Sequence, residues 1–581
     1  MRKLLRFLRP YWKLLIIGPF FKLLEAILEL MLPFLMSKVM DMGVARGDLN
    51  YVYRTGGFMI LIAVVGVCCA LICQYSASFV AQGVGTDIRN ELFSHILTLS
   101  NQEADRFGTS SLVNRITNDV NQVQWAVAML IRLVIRAPFL CIGGLVMAFL
   151  IDFKMSLILV IVLPVFILIL FLTMKKTVPL YKAVQRKLDK IALVLRENLN
   201  GIRVIRAFSK IDYENRRFMK QNDEYKENAI RVGKLSALLN PLTALVMNFS
   251  IGAILWYGGI RVNTGTTTTG EIMAFIGYVT QILAALIVVS NLVVVFTKAF
   301  ASAARISDVL EAEGEAEKKN DTQEQGKKVD EFHIEFQHVS MNYEGAGENA
   351  IQDISFRVKK GDTIGIIGGT GSGKSTLVNL IPGFYPVSGG HIFIDGVDIK
   401  NYALEELRSK IAIVLQKSVL FSGSIAENLR WGKKDASMEE IKRAAEIAQA
   451  TEFIEKMPNG FESIIQRGGV NVSGGQRQRL SIARAIIRQP EILILDDSFN
   501  ALDFVTDAKL RKALKDNTED MTIFVVSQRV STIKNADQIF VMHDGKMEGM
   551  GTHEELLRNC SVYREICESQ MQSSEVMADE A

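Results

Sequence analysis

Apolar residues fill the first three hundred positions in runs long enough to cross a bilayer, then thin out abruptly. About 20 residues of helix span the roughly 30 Å of hydrocarbon. Six segments reach that length: Leu14 to Ser37, Thr55 to Thr86, Ala126 to Ile151, Met155 to Met174, Leu235 to Ile260 and Ile272 to Thr297. Their connections alternate in length. Asp41 to Arg54, Asp152 to Lys154 and Arg261 to Glu271 are short, whereas Asp87 to Asn121 and Lys175 to Lys234 are long, charged and helical in period. Basic residues gather on the side of the long connections, together with an amphipathic start in which Leu4, Leu5, Phe7 and Leu8 alternate with Arg2, Lys3, Arg6 and Arg9. The positive-inside rule therefore places both termini and both long loops in the cytoplasm. At ~1.5 Å per residue, a helical extension of about 20 residues reaches ~30 Å beyond the membrane, far enough to touch a separate domain.

Charge within the spans is sparse. Lys22, Glu25 and Glu29 recur at i, i+3 and i+7 on one face of the first span, so they either pair among themselves or line a substrate cavity. Arg132 and Arg136, four apart in the third span, are expected to snorkel to the cytoplasmic interface. The pattern changes after Lys298. The chain divides into a membrane domain at 1–312, a charged linker at 313–331, a soluble α/β domain at 332–570 and a flexible tail at 571–581.

Composition agrees with this split. With 49% hydrophobic and 22% charged residues over 581 positions, the chain is too apolar for a soluble enzyme of its length. A net charge of +4, from 66 Lys+Arg against 62 Asp+Glu, gives no reason to expect a nucleic-acid partner. The six cysteines form no spaced framework, so free thiols are expected. No short apolar core with a small-residue cleavage site opens the chain, so no cleavable signal is expected.

The soluble half carries chemistry. The strand-like run Thr363 to Ile367 leads into Gly368, Gly369, Thr370, Gly371, Ser372, Gly373, Lys374, Ser375 and Thr376, a phosphate loop between a strand and a helix. Glycines let backbone N–H groups converge on phosphate oxygens at a helix N-terminus; Lys374 reaches the β/γ-phosphates and the Ser375 hydroxyl joins Mg²⁺. A second apolar strand, Ile492 to Leu495, ends in Asp496, a carboxylate suited to the same Mg²⁺. Between the two, Ser473, Gly474, Gly475 and Gln476 open a helix. A second anion-binding helix end in one domain suggests a nucleotide shared between two domains.

With these residues the chain resembles the ATP-binding cassette (ABC) transporters, specifically exporters in which six spans and one cassette share a chain. The resemblance implies a six-span α-helical transmembrane domain of the type I (type IV) exporter kind followed by a cytoplasmic α/β P-loop ATPase cassette, with ATP and Mg²⁺ as its ligands. It further implies that Tyr343 stacks on adenine, that Gln416 contacts Mg²⁺ and the membrane domain, that Ser473 to Gln476 form the signature motif, and that Asp503 lies in a loop crossing to the opposing cassette. Coupling helices are expected near Asn101 to Ser111 and near Phe208 to Glu214.

Two departures stand out. Where the family has Glu after the magnesium aspartate, this chain has Asp497, about 1.5 Å shorter. Where the family has the switch histidine, it has Gln528, which hydrogen-bonds but cannot carry an imidazolium charge. Both positions act on one γ-phosphate, so a weakly hydrolytic site is expected. The resemblance then points to a heterodimeric multidrug-type exporter in a bacterial plasma membrane, moving small amphipathic or hydrophobic compounds. A second half-transporter would bring Glu and His, and its active site would be completed by this chain's signature. Lipid or peptide export, a slow homodimer, and an ATP-gated channel or sensor are the alternatives.

Overall fold

The computed structural model describes residues 4–315, 332–343, 345, 347–518 and 520–579, without the side chains of 290, 291 and 571–579. The chain folds as two compact units. One comprises Met1–Leu97 with Gly108–Ala312, and the other Thr98–Phe107 with Glu313–Ala581.

The first unit is helical. After a 3₁₀ turn over Leu4–Tyr11 come α1 (Trp12–Lys38) and α2 (Leu49–Leu97). The chain then passes through α3 (Asn101–Phe107), which belongs to the second unit. Next follow α4 (Thr109–Ile151), α5 (Phe153–Asn200), the short α6 (Ile202–Ala207), α7 (Ile211–Asn263, with a break at Leu238) and α8 (Thr269–Glu311). Among the described residues, α2, α4, α5, α7 and α8 are long and apolar enough to cross a membrane. The sixth expected span is α1, whose apolar run is interrupted by Lys22, Glu25 and Glu29. At 49 residues, α2 is over twice the length a bilayer needs, so it extends well past a membrane.

Two short turns at the opposite end are tied by carboxylates. Asp152 caps α5 by accepting from the Met155 N–H at 2.9 Å, and it also pairs with Arg261 at 2.7 Å. Asp41 accepts from the Thr268 hydroxyl at 2.6 Å and the Gly270 N–H at 2.9 Å. Gly270 allows this approach, since a Cβ there would lie 2.3 Å from the Ser37 carbonyl oxygen.

Local chemistry shifts one expected element. The second coupling segment was read near Phe208 to Glu214, but the short helix is α6, ending at Ala207. Ser209 takes a left-handed φ of 52° and the Lys210 N–H closes on the Ile205 carbonyl at 2.9 Å, which stops α6. Asp212 and Glu214 then favour a fresh start in the first turn of α7.

The second unit is an α/β domain. β1 (Ile334–Met341), β2 (Ile351–Val358), β4 (Gly389–Ile394) and β5 (Val397–Asp398) form an antiparallel sheet in the order β2-β1-β4-β5. The second sheet has the order β12-β11-β3-β10-β9-β6, built from β3 (Thr363–Gly368), β6 (Ile411–Val414), β9 (Ile492–Asp496), β10 (Thr522–Val526), β11 (Gln538–His543) and β12 (Lys546–Gly551). All its pairings are parallel except β11 with β12. Strands β9 and β10 are buried at every position because both faces are covered. Ile492, Ile494 and Phe524 pack into one core, while Leu493, Leu495 and Val525 pack into the other. A small pair, β7 (Gly423–Ser424) with β8 (Ile464–Ile465), lies outside these sheets.

Three boundaries differ in detail from the sequence reading. Thr98–Phe107 folds with the second unit, where Leu99 bridges Gly314. Glu313–Glu315 of the expected linker are ordered into that bridge, and Glu315 pairs with Arg408 at 2.6 Å; residues 316–331 lie outside the described residues. A final helix, Ser561–Asp579, runs through most of the expected tail. All six cysteines are free, with Cys69, Cys73, Cys560 and Cys567 buried.

Candidate nucleotide site

The parallel sheet positions the site by topology. Gly368 ends β3, Asp496 ends β9, Gln416 stands two residues after β6, and Gln528 two residues after β10. All four lie at carboxyl ends of adjacent parallel strands, where α/β sheets bind ligands.

The phosphate loop connects β3 to α9 (Lys374–Leu380). A Cβ on Gly368 would lie 2.1 Å from the Met542 carbonyl oxygen, and one on Gly373 would lie 2.8 Å from that of Ala350. Only glycine fits at either place. Gly371 and Gly373 also take φ of +84° and +95°. Gly369, Thr370 and Ser372 complete the loop, and the Ser372 N–H bonds to the Gly369 carbonyl. The buried Lys374 ammonium donates to the carbonyls of Gly368 at 2.9 Å and Gly369 at 2.6 Å.

The acidic side converges on this loop. The Ser375 hydroxyl donates to Asp496 Oδ1 at 3.0 Å. Burial pushes the Asp496 carboxyl up; the Ser375 hydrogen bond opposes that, the Asp497 charge adds to it and the Lys374 charge opposes it. Burial likewise pushes Lys374 down, against the pull of Asp497 and Asp496. This donor set fits a magnesium nucleotide: a hydroxyl and a carboxylate in contact, with a lysine beside a loop too tight for side chains.

Asp497 is held differently. Its φ is +48°, its N–H bonds to the Val526 carbonyl at 3.0 Å, and its Oδ2 accepts from Gln416 Nε2 at 3.3 Å. Its Oδ1 accepts from Asn500 Nδ2. Both carboxylate oxygens are therefore engaged by amides. Asn500 was absent from the sequence-level candidates, although its place three residues after Asp497 in a tight loop was a signal. Gln528 is exposed, and its carbonyl accepts from Gln570 at 2.7 Å.

Other expected residues take defined places. The Tyr343 hydroxyl lies 3.2 Å from Thr376 Oγ1, and its ring meets Tyr385 edge-on at 5.2 Å. Tyr385 in turn donates to Asp105 of α3 at 2.7 Å, and Asn101 of α3 bonds to the Phe384 carbonyl at 3.4 Å. Burial and the Asp105 carboxylate raise the Tyr385 phenol.

Ser473 caps α10 (Gly474–Ile486) in a reciprocal box with Gln476. A Cβ on Gly475 would lie 2.9 Å from the Ala501 carbonyl oxygen. Asp503 caps α11 (Phe504–Asn517) through the Thr506 N–H at 2.9 Å, and the hydrogen bond from Thr506 holds its carboxyl below the usual range. Buried Gln478 on α10 accepts from the Ser418 hydroxyl at 2.7 Å, which ties the loop after β6 to α10. The sequence reading missed that link.

In the membrane helices Glu25 and Glu29 are both paired. Lys22 pairs with Glu25 at 2.7 Å. Arg136 does not snorkel but pairs with Glu29 at 2.7 Å, because the two carry opposite charge at matching depth on α1 and α4. A cavity of about 1150 Å³ lies between α5 and α7, where Leu157, Ile161, Asn248, Phe249 and Trp256 line it.

Comparison with known proteins agrees with this geometry. Residues 15–286 match the family model of the ABC transporter transmembrane region, and residues 351–500 that of the ABC transporter cassette. The chain is 40% identical to the uncharacterized ABC transporter ATP-binding protein YfiB of Bacillus subtilis, over 98% of both chains. It is 33% identical to the putative multidrug export protein YgaD of the same organism, over 97% of this chain and 98% of that one. It is 31% identical to the ATP-dependent lipid A-core flippase of Chromobacterium violaceum, over 100% of this chain and 98% of that one. Its fold matches a bacterial Atm1-family ABC exporter solved with ATP bound, with a TM-score of 0.78 at 22% identity over 98% of each chain.

Proposed function

The chain belongs to the ATP-binding cassette transporter family as an exporter, and from that premise we propose that it is the weakly hydrolytic half of a heterodimeric pump for amphipathic compounds. The observation that carries the proposal is Asp497. It is one methylene shorter than the family's glutamate, and both its oxygens already accept from Asn500 and Gln416. A carboxylate so engaged is poorly placed to orient an attacking water, where an error of ~1 Å costs about a hundredfold in rate.

In this reading the residues divide the work. Gly368 to Thr376 hold the phosphates, Tyr343 faces the base, and Ser375, Asp496 and Gln416 hold Mg²⁺. When bound, Mg²⁺ supplies positive charge against the phosphates. Gln528 accepts or donates a hydrogen bond but adds no charge. Ser473 to Gln476 and Asp503 serve a nucleotide held by the partner's phosphate loop. Occupancy of this chain's site acts as a clamp, biasing a two-state equilibrium without being consumed each cycle. The second half-transporter brings Glu and His, and the assembly sits in a bacterial plasma membrane with both termini in the cytoplasm.

Membrane export is supported by α1 and five helices long and apolar enough to cross a membrane, ahead of a cassette in the chain. Relatives carrying lipid and multidrug names are almost equally similar, so the names do not choose between those substrates. The test is ATP turnover by the chain purified alone. Turnover should be slow and should rise when Asp497→Glu and Gln528→His are combined. Rapid turnover by the unmodified chain would overturn the proposal in favour of an active homodimer.

A further inference from the structure

The apolar stretches of the six helices carry five charges: Lys22, Glu25 and Glu29 on α1, and Arg132 and Arg136 on α4. Two of the three cations are spent on the two anions, Lys22 on Glu25 and Arg136 on Glu29, both at 2.7 Å. Gln281 of α8 adds a hydrogen bond to the Glu29 carbonyl at 3.2 Å, which fixes that part of α1. Among the described residues Arg132 has no hydrogen bond or ion pair, and the group is left with one net positive charge.

The backbone around Arg132 is irregular. Leu130–Val134 form a π-helical turn inside α4, a widening that recurs at functional sites. Ile131 is fully buried, and it passes so close to Gly18 of α1 that a Cβ there would lie 2.7 Å from its Cγ2. That contact anchors the turn while the neighbouring Arg132 stays half-buried. Through the Ile131–Gly18 approach the unpaired cation sits where α4 packs on α1. This guanidinium meets no carboxylate of the described residues, and its fork geometry matches a phosphate or carboxylate.

We infer that Arg132 receives the anionic headgroup, phosphate or carboxylate, of the amphiphile this exporter moves. Glu25 and Glu29, read from sequence as either paired or cavity-lining, are neutralised by Lys22 and Arg136. The inference rests on the exporter reading and names its substrate class. Arg132 stands about 30 Å along α4 from Ile151, near the level of inner-leaflet headgroups, so a resident phospholipid offers the same chemistry as a transported amphiphile.

The experiment uses the assembled transporter in nanodiscs of neutral phosphatidylcholine. Binding of dodecyl phosphate and of dodecyltrimethylammonium is measured without ATP, and their ATP-driven movement is measured in proteoliposomes. The phosphate is expected to bind more tightly than the ammonium and to be moved. Arg132→Gln should weaken its binding roughly tenfold or more, and Arg132→Lys should restore much of it. Thermal unfolding of each variant reports its folding. Tighter binding of the ammonium, or an Arg132→Gln variant that folds and binds the phosphate unchanged, would overturn the inference. A resident lipid would show itself if phosphatidylglycerol in the discs blocked the phosphate and the phosphate bound but never moved while a neutral probe did; that too overturns it. Failure to move any probe would count against the exporter reading alone, since the binding measurement still reads Arg132.

Discussion

In the cassette, Lys374 and Ser375 open a helix, Asp496 ends a strand and Asp497 follows it, all fixed by strands that pair side by side. In the helical unit, Glu29 meets its partner Arg136 from a helix 107 residues further along. The first group needs only its own motif and a parallel sheet to converge. The second depends on how two long helices are rotated against each other, which no short spacing encodes. Motif chemistry thus reads directly into geometry, whereas a charge in an apolar helix acquires meaning only from the neighbour it meets.

Breaking the phosphate loop should give the largest effect. Gly368→Ala drives a Cβ to 2.1 Å from the Met542 carbonyl, a backbone atom that cannot swing away. Nucleotide binding at this site, followed by fluorescent ATP titration, should be lost. Lys374→Ala removes a charged donor and should weaken the same binding by about 1.5–3 kcal/mol, roughly ten- to a hundredfold. Retained affinity in either variant would mean the cassette is less geometric than argued.

The membrane side of the contrast is tested by the ion pair. Glu29→Gln leaves Arg136 without its partner and should lower stability by about 1–3 kcal/mol, discounted because the side chains are 31% and 28% exposed. In a thermal-unfolding cycle, Arg136→Gln added to Glu29→Gln should cost much less than the sum of the two singles. Additive losses would show that the two do not interact.

A smaller effect concerns His333, buried at the start of β1 with its ring 3.6 Å from Asp395 and 3.7 Å from Glu491. Burial lowers its pKa below the ordinary 6.5, although those two carboxylates pull upward; Lys360 and Lys410 add to the lowering. The unfolded chain therefore binds the proton more readily than the folded one. The stability contributed by neutral His333 is complete above pH 6.5 and is lost as pH falls below it. Melting temperatures of the full chain should fall less steeply from pH 7 to 5 in His333→Gln than in the parent, and equal slopes would refute the assignment.

The cassette was legible because its residues are constrained locally. Glycines at 368 and 373 admit no Cβ, Ser473 and Gln476 cap each other three residues apart, and β9 and β10 each carry a run of four apolar residues and are buried throughout. What escaped was relational. Asn500 and Gln478 matter through partners that only the folded loops supply. Thr98–Phe107 lies between two membrane helices in sequence yet packs with the cassette through Asp105 and Tyr385. The spans were read from length, but Arg136 was assigned to snorkelling because its partner lies on another helix. The end of α6 turned on the left-handed Ser209, a residue whose sequence gives no warning of that conformation.

The most direct test of the central claim is steady-state ATP hydrolysis by the assembled transporter carrying Asp497→Asn. The engaged carboxylate predicts that most of the turnover survives, while the matching substitution of the partner's glutamate abolishes it. If Asp497→Asn silenced the transporter as completely as the partner's change, the two sites would be equivalent and the asymmetry would be wrong.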